Sequence, residues 1–162
     1  KLLHMEKPQK TSSEQASPNP TIPAVVIYTD GACDPNPGPG GWAALLKYKS
    51  QEKVLTGQEA NTTNNRMELT SAIRALQCLR TPCEIDLYTD SEYLKRGITE
   101  WLPSWRKRNW RRKDGALANA DLWRELDAAL GTHAIRWHWV RGHAGNPDNQ
   151  RVDRLARQAI ER

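Results

Sequence analysis

Ile27-Tyr28-Thr29-Asp30 and Leu87-Tyr88-Thr89-Asp90 are nearly the same phrase written twice. Each apolar-rich stretch stops at an aspartate that is followed at once by a turn or helix-start residue, Gly31 or Ser91. Side chains alternate along a strand, so the shared register sends Tyr28 and Asp30 to one face, and Tyr88 and Asp90 likewise. If the two strands lie parallel and adjacent, both carboxylates meet at one sheet edge. Anions that close repel each other and call for positive compensation, most simply a bound divalent cation.

Working outward, 24–29 is a compact β-branched run and reads as a buried strand, while 42–49 and 53–60 read as a hairpin. Between them, residues 34–41 hold three prolines and three glycines, which predicts a stiff connector. Leu69, Ala72, Ile73 and Leu76 recur with helical spacing, predicting an amphipathic helix over 65–80 ahead of Pro82. The second Asp-terminated strand spans 84–89, and 91–97 reads as a short helix closed by a glycine cap at Gly97. Leu122, Leu126 and Leu130 mark a helix capped by Gly131, and Ile135, Trp137 and Trp139 alternate with Arg136 and His138 as a fifth strand. Asn146-Pro147 starts a last helix that turns Val152, Leu155, Ala156 and Ala159 to the core. This order predicts an α/β domain with a five-stranded mixed sheet, the first strand central and helices on both faces. Sites in such sheets gather at the carboxyl ends of strands, where both aspartates fall.

The 162 residues suit one domain that needs no disulfide to hold a core. A formal charge of +5 favours a polyanionic partner such as nucleic acid. Cys33, Cys78 and Cys83 cannot pair completely and lack metal-type spacing, so free thiols in a reducing cytoplasm are expected. No apolar run approaches a membrane span, and Leu2-Leu3 is too short for a secretory signal. Residues 1–4 are expected to precede a natural start at Met5, and 1–23 to be a disordered tail ahead of a domain over 24–162.

Two further acids can reach the same edge. Glu68 lies three residues after Asn65, off the apolar stripe of its helix, and Asp153 stands beside Val152 in the last helix. Each acid also has an ordinary reading: Glu68 in a capping box with Asn65, Asp90 as a helix cap, Asp30 as a turn residue, Asp153 paired with Arg157. Their coincidence at one edge favours the shared centre.

Tyr28-Thr29-Asp30-Gly31, the Asn36-Pro37-Gly38-Pro39-Gly40-Gly41 loop, Thr62-Thr63-Asn64-Asn65-Arg66-Met67-Glu68, Thr89-Asp90-Ser91 and Gly142-His143-Ala144-Gly145-Asn146 together resemble bacterial type 1 ribonuclease H. The resemblance runs from about Ala24 to the end of the chain and implies the ribonuclease H-like fold. It also implies Mg²⁺-dependent cleavage of the RNA strand of an RNA–DNA hybrid, leaving 3′-hydroxyl and 5′-phosphate ends. By that resemblance Asp30, Glu68, Asp90 and Asp153 are the metal-binding carboxylates, for two Mg²⁺ ions with Mn²⁺ as an alternative. Asp30 would be shared, with Glu68 and Asp90 on one ion and Asp153 on the other.

The same resemblance gives His143 a role in proton transfer or product release, and sets Gly31, Asn36, Thr63, Asn64 and Asn65 along a hybrid-binding groove. Trp101, Trp105 and Trp110 are interleaved with Arg106, Lys107, Arg108, Arg111, Arg112 and Lys113, matching the family's basic protrusion for the DNA strand. Phosphate contact is expected of these cations. Trp101 and Trp105, four residues apart, read equally well as a packing stripe. Glu92 departs from the family's frequent glutamine, which weakens any groove contact there. Neither a protein partner nor a membrane is expected, and no heptad or apolar interface signal argues against a monomer. Two other readings stand beside this one: a related acidic nuclease or integrase, and a hybrid-binding module without catalysis.

Overall fold

The two Tyr-Thr-Asp phrases belong to neighbouring parallel strands. In the computed structural model, which describes residues 22–110, 118–141 and 145–160, β1 (Ala24–Cys33) pairs in parallel with β4 (Glu84–Thr89) from Ala24↔Glu84 to Tyr28↔Tyr88. β2 (Gly38–Tyr48) and β3 (Gln51–Thr62) form an antiparallel hairpin on the other side of β1, and β5 (Ala134–Trp139) lies parallel beside β4. The order β3-β2-β1-β4-β5 puts β1 in the centre of a five-stranded mixed sheet.

The helices are α1 (Asn64–Gln77), α2 (Glu92–Arg96), α3 (Leu102–Lys107), α4 (Ala120–Leu130) and α5 (Pro147–Ala159), with a π-helical turn at Gly97–Trp101 between α2 and α3. Period-two alternation splits the sheet into two buried faces. Val25, Ile27, Ala44, Leu46, Ile85 and Leu87 form one core with Leu69, Ile73 and Leu76 of α1 and Trp123 and Leu126 of α4. Ala43 and Leu45 face the other way, onto Val152 and Ala156 of α5. Helices on both faces therefore follow from strands that are apolar on both sides.

Three local expectations are corrected. β1 does not stop at Asp30: Gly31, Ala32 and Cys33 continue it against Trp42, Gly41 and Gly40, so residues 38–41 are strand rather than connector. Glycine suits that strand because α5 lies close; a Cβ on Gly41 would sit 2.4 Å from the Ala156 carbonyl oxygen. Gly97 is right-handed helical (φ −62°) and caps nothing, since the chain winds on into the π-helical turn. Its lack of a side chain serves packing instead, as a Cβ there would be 1.8 Å from the Trp123 ring. Helix α1 begins one residue early, with Thr63 as its N-cap accepting from the Arg66 N–H at 3.2 Å, and ends at Gln77. Gly131 at the end of α4 (φ +47°) and Asn146 before α5, accepting from the Asn149 N–H, behave as expected. Among the described residues no helix is long and apolar enough to cross a membrane, and all three cysteines are free. The expected tail over 1–23 lies, for residues 1–21, outside the described residues.

Candidate active site

Register carries Asp30 and Asp90 to the same level. The parallel ladder pairs Tyr28 with Tyr88, whose rings stack at 4.9 Å, and each aspartate lies two residues further along on the same face. Glu68 arrives from the opposite side of the sheet, on α1. Its approach depends on Gly31, where a Cβ would lie 2.4 Å from the carbonyl carbon of Met67 and 2.5 Å from the nitrogen of Glu68. Any side chain at 31 would push the helix away. The Gly31 N–H donates to both Glu68 Oε1 and Asp30 Oδ1, each at 2.9 Å, pinning the two acids to one backbone group.

One oxygen each from Asp30, Glu68 and Asp90 lie within 4.8 Å of one another. Asp30 is 6% exposed and Glu68 7%, so water does little to screen them. Burial first, and then the charge of Asp90, push the Asp30 carboxyl up to about 8, against the pull of the Gly31 N–H. Glu68 is raised well above the usual carboxylate range by its burial and by the charges of Asp30 and Asp90. Burial and mutual repulsion thus favour the protonated form of both carboxyls when no cation is present. Asp153 on α5 adds its charge and a hydrogen bond to Asp30, and also accepts from Arg157 Nη2 at 2.5 Å. The pairing of Asp153 with Arg157 is therefore present, and Asp153 also faces Asp30, but it lies outside the tight group of Asp30, Glu68 and Asp90.

The capping-box reading of Glu68 fails, because Thr63 caps α1 and Glu68 lies beyond the first turn with its side chain buried. The cap reading of Asp90 fails too: Ser91 caps α2, accepting from the Leu94 N–H at 3.0 Å. Glu92 is exposed in the first turn of α2, a favourable place for an anion beside the helix N-terminus.

The expected groove residues gather on one rim. Asn36 Oδ1 accepts from the Asn64 N–H at 3.1 Å, which ties the loop after β1 to the start of α1. Asn64 is half-buried and Asn65 exposed, while the Thr63 hydroxyl is spent on its cap. Trp101 and Trp105 stand in an aromatic cluster with Tyr93, Trp110 and Trp123, with ring centroids 5.4–6.4 Å apart from pair to pair. The cluster packs against the main core. It leaves a cavity of about 480 Å³ lined by Tyr93, Glu100, Trp101, Ser104, Trp105 and Arg108. Arg106 is engaged by Asp127, whereas Lys107 and Arg108 are exposed on the same arm. His143, Arg111, Arg112 and Lys113 lie outside the described residues.

Sequence reading overlooked Arg66. Its guanidinium makes a forked pair with Asp121 (3.0 and 2.8 Å) and reaches Asn119 Oδ1 at 3.2 Å. Its place inside Asn65-Arg66-Met67-Glu68 was the available signal, but its partners are too distant in sequence to be read. Asp86, similarly, takes Arg136 in a fork and His138 at 2.8 Å, and these contacts hold its carboxyl down to about 2.

A five-stranded mixed sheet in the order β3-β2-β1-β4-β5, with Asp30 on its central strand and Asp90 just past β4, has the ribonuclease H-like α/β fold. A solved structure of LC9-RNase H1, described as a type 1 RNase H with the type 2 active-site motif, matches with a TM-score of 0.80 and 35% identity, over 88% of this chain and 74% of that one. LC11-RNase H1, solved in complex with an RNA/DNA hybrid, shares the fold at a TM-score of 0.64 and 21% identity, over 84% of this chain and 96% of that one. The RNase H family model matches residues 23–161. Ribonuclease H of Bradyrhizobium diazoefficiens is 56% identical over 140 residues, covering 86% of this chain and 91% of the relative. Ribonuclease H of Chelativorans sp. is 58% identical over 137 residues, covering 84% and 85%. The chain belongs to the ribonuclease H family, in its bacterial type 1 branch, and is a nuclease that hydrolyses RNA.

Proposed function

We propose that the chain is an endonuclease that hydrolyses the RNA strand of RNA–DNA hybrids with two Mg²⁺ ions, leaving 3′-hydroxyl and 5′-phosphate ends. The observation that carries this reading is the trio of carboxylates within 4.8 Å. An all-oxygen donor set, crowded enough to drive two of its pKa values upward, fits a hard divalent cation and suits Mg²⁺ or Mn²⁺ better than softer metals. Asp30 would serve both ions, Glu68 and Asp90 one, and Asp153 the other. When bound, such ions supply Lewis-acid activation of water and charge stabilisation at the leaving oxygen.

The chain's own residues do the rest. Gly31 holds Asp30 and Glu68 in place through its N–H, and the Asn36, Asn64, Asn65 rim offers neutral donors and acceptors to sugar hydroxyls. Lys107, Arg108 and the neighbouring cations supply phosphate contacts on the arm. Trp101 and Trp105, which line the cavity beside Arg108, offer aromatic contact to the substrate, and His143 relays a proton or assists product release. The catalytic domain runs over 24–162, acts as a monomer in the cytoplasm, and needs neither a protein partner nor a membrane.

The test is a labelled RNA–DNA hybrid, an RNA duplex and a DNA duplex incubated with the protein and Mg²⁺. Cutting confined to the RNA of the hybrid, and abolished by chelation, supports the reading. Binding without cutting, or cutting of the DNA duplex, overturns it.

A further inference from the structure

Arg66 joins the two halves of the proposed substrate surface. It sits in the first turn of α1, between the rim residue Asn65 and the acid Glu68. Its fork closes on Asp121 at the start of α4, and its Nη1 reaches the side chain of Asn119. Asn119 holds a left-handed backbone (φ 57°), and its side chain makes no cap bond to α4. Its side chain is used in bridging instead: Oδ1 faces Arg66, while Nδ2 donates to the Tyr93 hydroxyl at 2.9 Å. The same hydroxyl accepts from Trp123 Nε1 at 3.1 Å. Tyr93 and Trp123 in turn pack against Trp101 and Trp105 of the arm. A continuous polar and aromatic path thus leads from the helix that carries Glu68 to the arm that carries Lys107 and Arg108.

Energetically the ion pair is a poor stabiliser. Arg66 and Asp121 side chains are 30% and 63% exposed, and exposed pairs contribute little to folding. A two-point fork does, however, fix orientation as well as distance, which a single contact does not. Resting on the hybrid-cleaving reading above, we propose that Arg66 is a positioning residue for substrate. By pairing with Asp121 and Asn119 it sets the spacing between the α1 rim and the basic arm, so that one duplex meets both. Loss of the fork lets the arm drift and weakens binding, without disturbing Asp30 and Glu68, which are held by Gly31 and by burial.

The experiment is a double-mutant cycle of Arg66→Gln and Asp121→Asn, with Arg66→Lys as a third variant, read by kcat and KM on an RNA–DNA hybrid and by thermal melting. Either single change is expected to raise KM about tenfold, the scale of one lost charge-assisted fork, with kcat within about threefold of wild type. The double variant should cost no more than one single, because both remove the same link. Arg66→Lys, which keeps charge but not the fork, should recover less than half of the loss. Additive effects, or a KM that rises with Arg66→Gln but not with Asp121→Asn, would mean direct contact of Arg66 with phosphate and overturn the proposal. Equal loss in kcat, or in melting temperature alone, overturns it as well. A wild-type chain that cuts no hybrid overturns the function itself, whereas a wild type that cuts while all variants keep its KM overturns only the positioning role.

Discussion

The acidic edge and the aromatic arm are built from opposite materials. At the edge, carboxyl groups crowd together, two of them buried, and are held by backbone: β-register places Asp30 and Asp90, and one glycine N–H grips Asp30 and Glu68. On the arm, exposed cations and half-buried rings lie on short helical pieces, held by side chains that meet across the chain, such as Arg66 with Asp121 and Arg106 with Asp127. The edge stores electrostatic tension that a ligand can relieve, and the arm is an adjustable reach. Chemistry needs the first kind of construction, because misplacement of about 1 Å can cost about a hundredfold in rate. Tracking a polyanion needs the second.

The contrast can be broken most severely at the acids. Asp30→Asn removes the carboxylate shared by the whole cluster and should lower cleavage of a hybrid by about 10³-fold or more, measured as kcat with Mg²⁺. A residual activity within tenfold of wild type would show that the edge is not the reactive centre. Gly31→Ala tests whether backbone approach is what assembles it. With backbone atoms of Met67 and Glu68 2.4–2.5 Å from the new Cβ, α1 must shift, costing about 1–3 kcal/mol of stability and about a hundredfold in kcat. An unchanged kcat would assign Gly31 to substrate contact alone.

On the arm side, Gly97→Ala sharpens the difference. A methyl group 1.8 Å from Trp123 should cost about 1–3 kcal/mol by overpacking and raise KM more than it lowers kcat. The smallest effect belongs to the far corner of β4 and β5. Asp86 has its carboxyl lowered to about 2 by Arg136 and His138, so its contribution is present above an unfolded value near 4 and fades as pH falls through about 2. Asp86→Asn should accordingly destabilise slightly at pH 5–7, and the gap between the two melting temperatures should close towards pH 2.

Much of the edge could be read from residues alone, because it rests on period-two alternation. Once Tyr-Thr-Asp recurs, the shared face of Tyr28 and Tyr88 and the level of the two aspartates follow from geometry that each strand carries locally. Where tertiary contact decides, local signals misled. Gly97 has the composition of a cap, yet it is glycine because the Trp123 indole leaves no room for a side chain; residues 38–41 have the composition of a loop, yet Gly40 and Gly41 pair with Cys33 and Ala32 of β1, and at Gly41 α5 leaves no room for a side chain. Thr63 took the cap from Asn65 through one hydrogen bond. Arg66 was invisible for the same reason, since Asn119 and Asp121 lie more than fifty positions away. The tryptophans of the arm stayed undecided between packing and binding, and in the structure they pack on the core while lining a surface cavity.

The central claim, that crowded carboxylates create a place for divalent cations, is tested most directly by the difference in melting temperature between wild type and Asp30→Asn across pH 5–9, with chelator and with Mg²⁺. A carboxyl raised to about 8 in the fold stabilises fully below its unfolded value near 4; that contribution is lost as pH climbs through about 8. In chelator, therefore, the wild type should lose stability relative to Asp30→Asn from pH 5 to about 8 and then level off, and Mg²⁺ should restore the wild type but not the variant. Parallel pH profiles in chelator, together with no Mg²⁺ response in either protein, would contradict it.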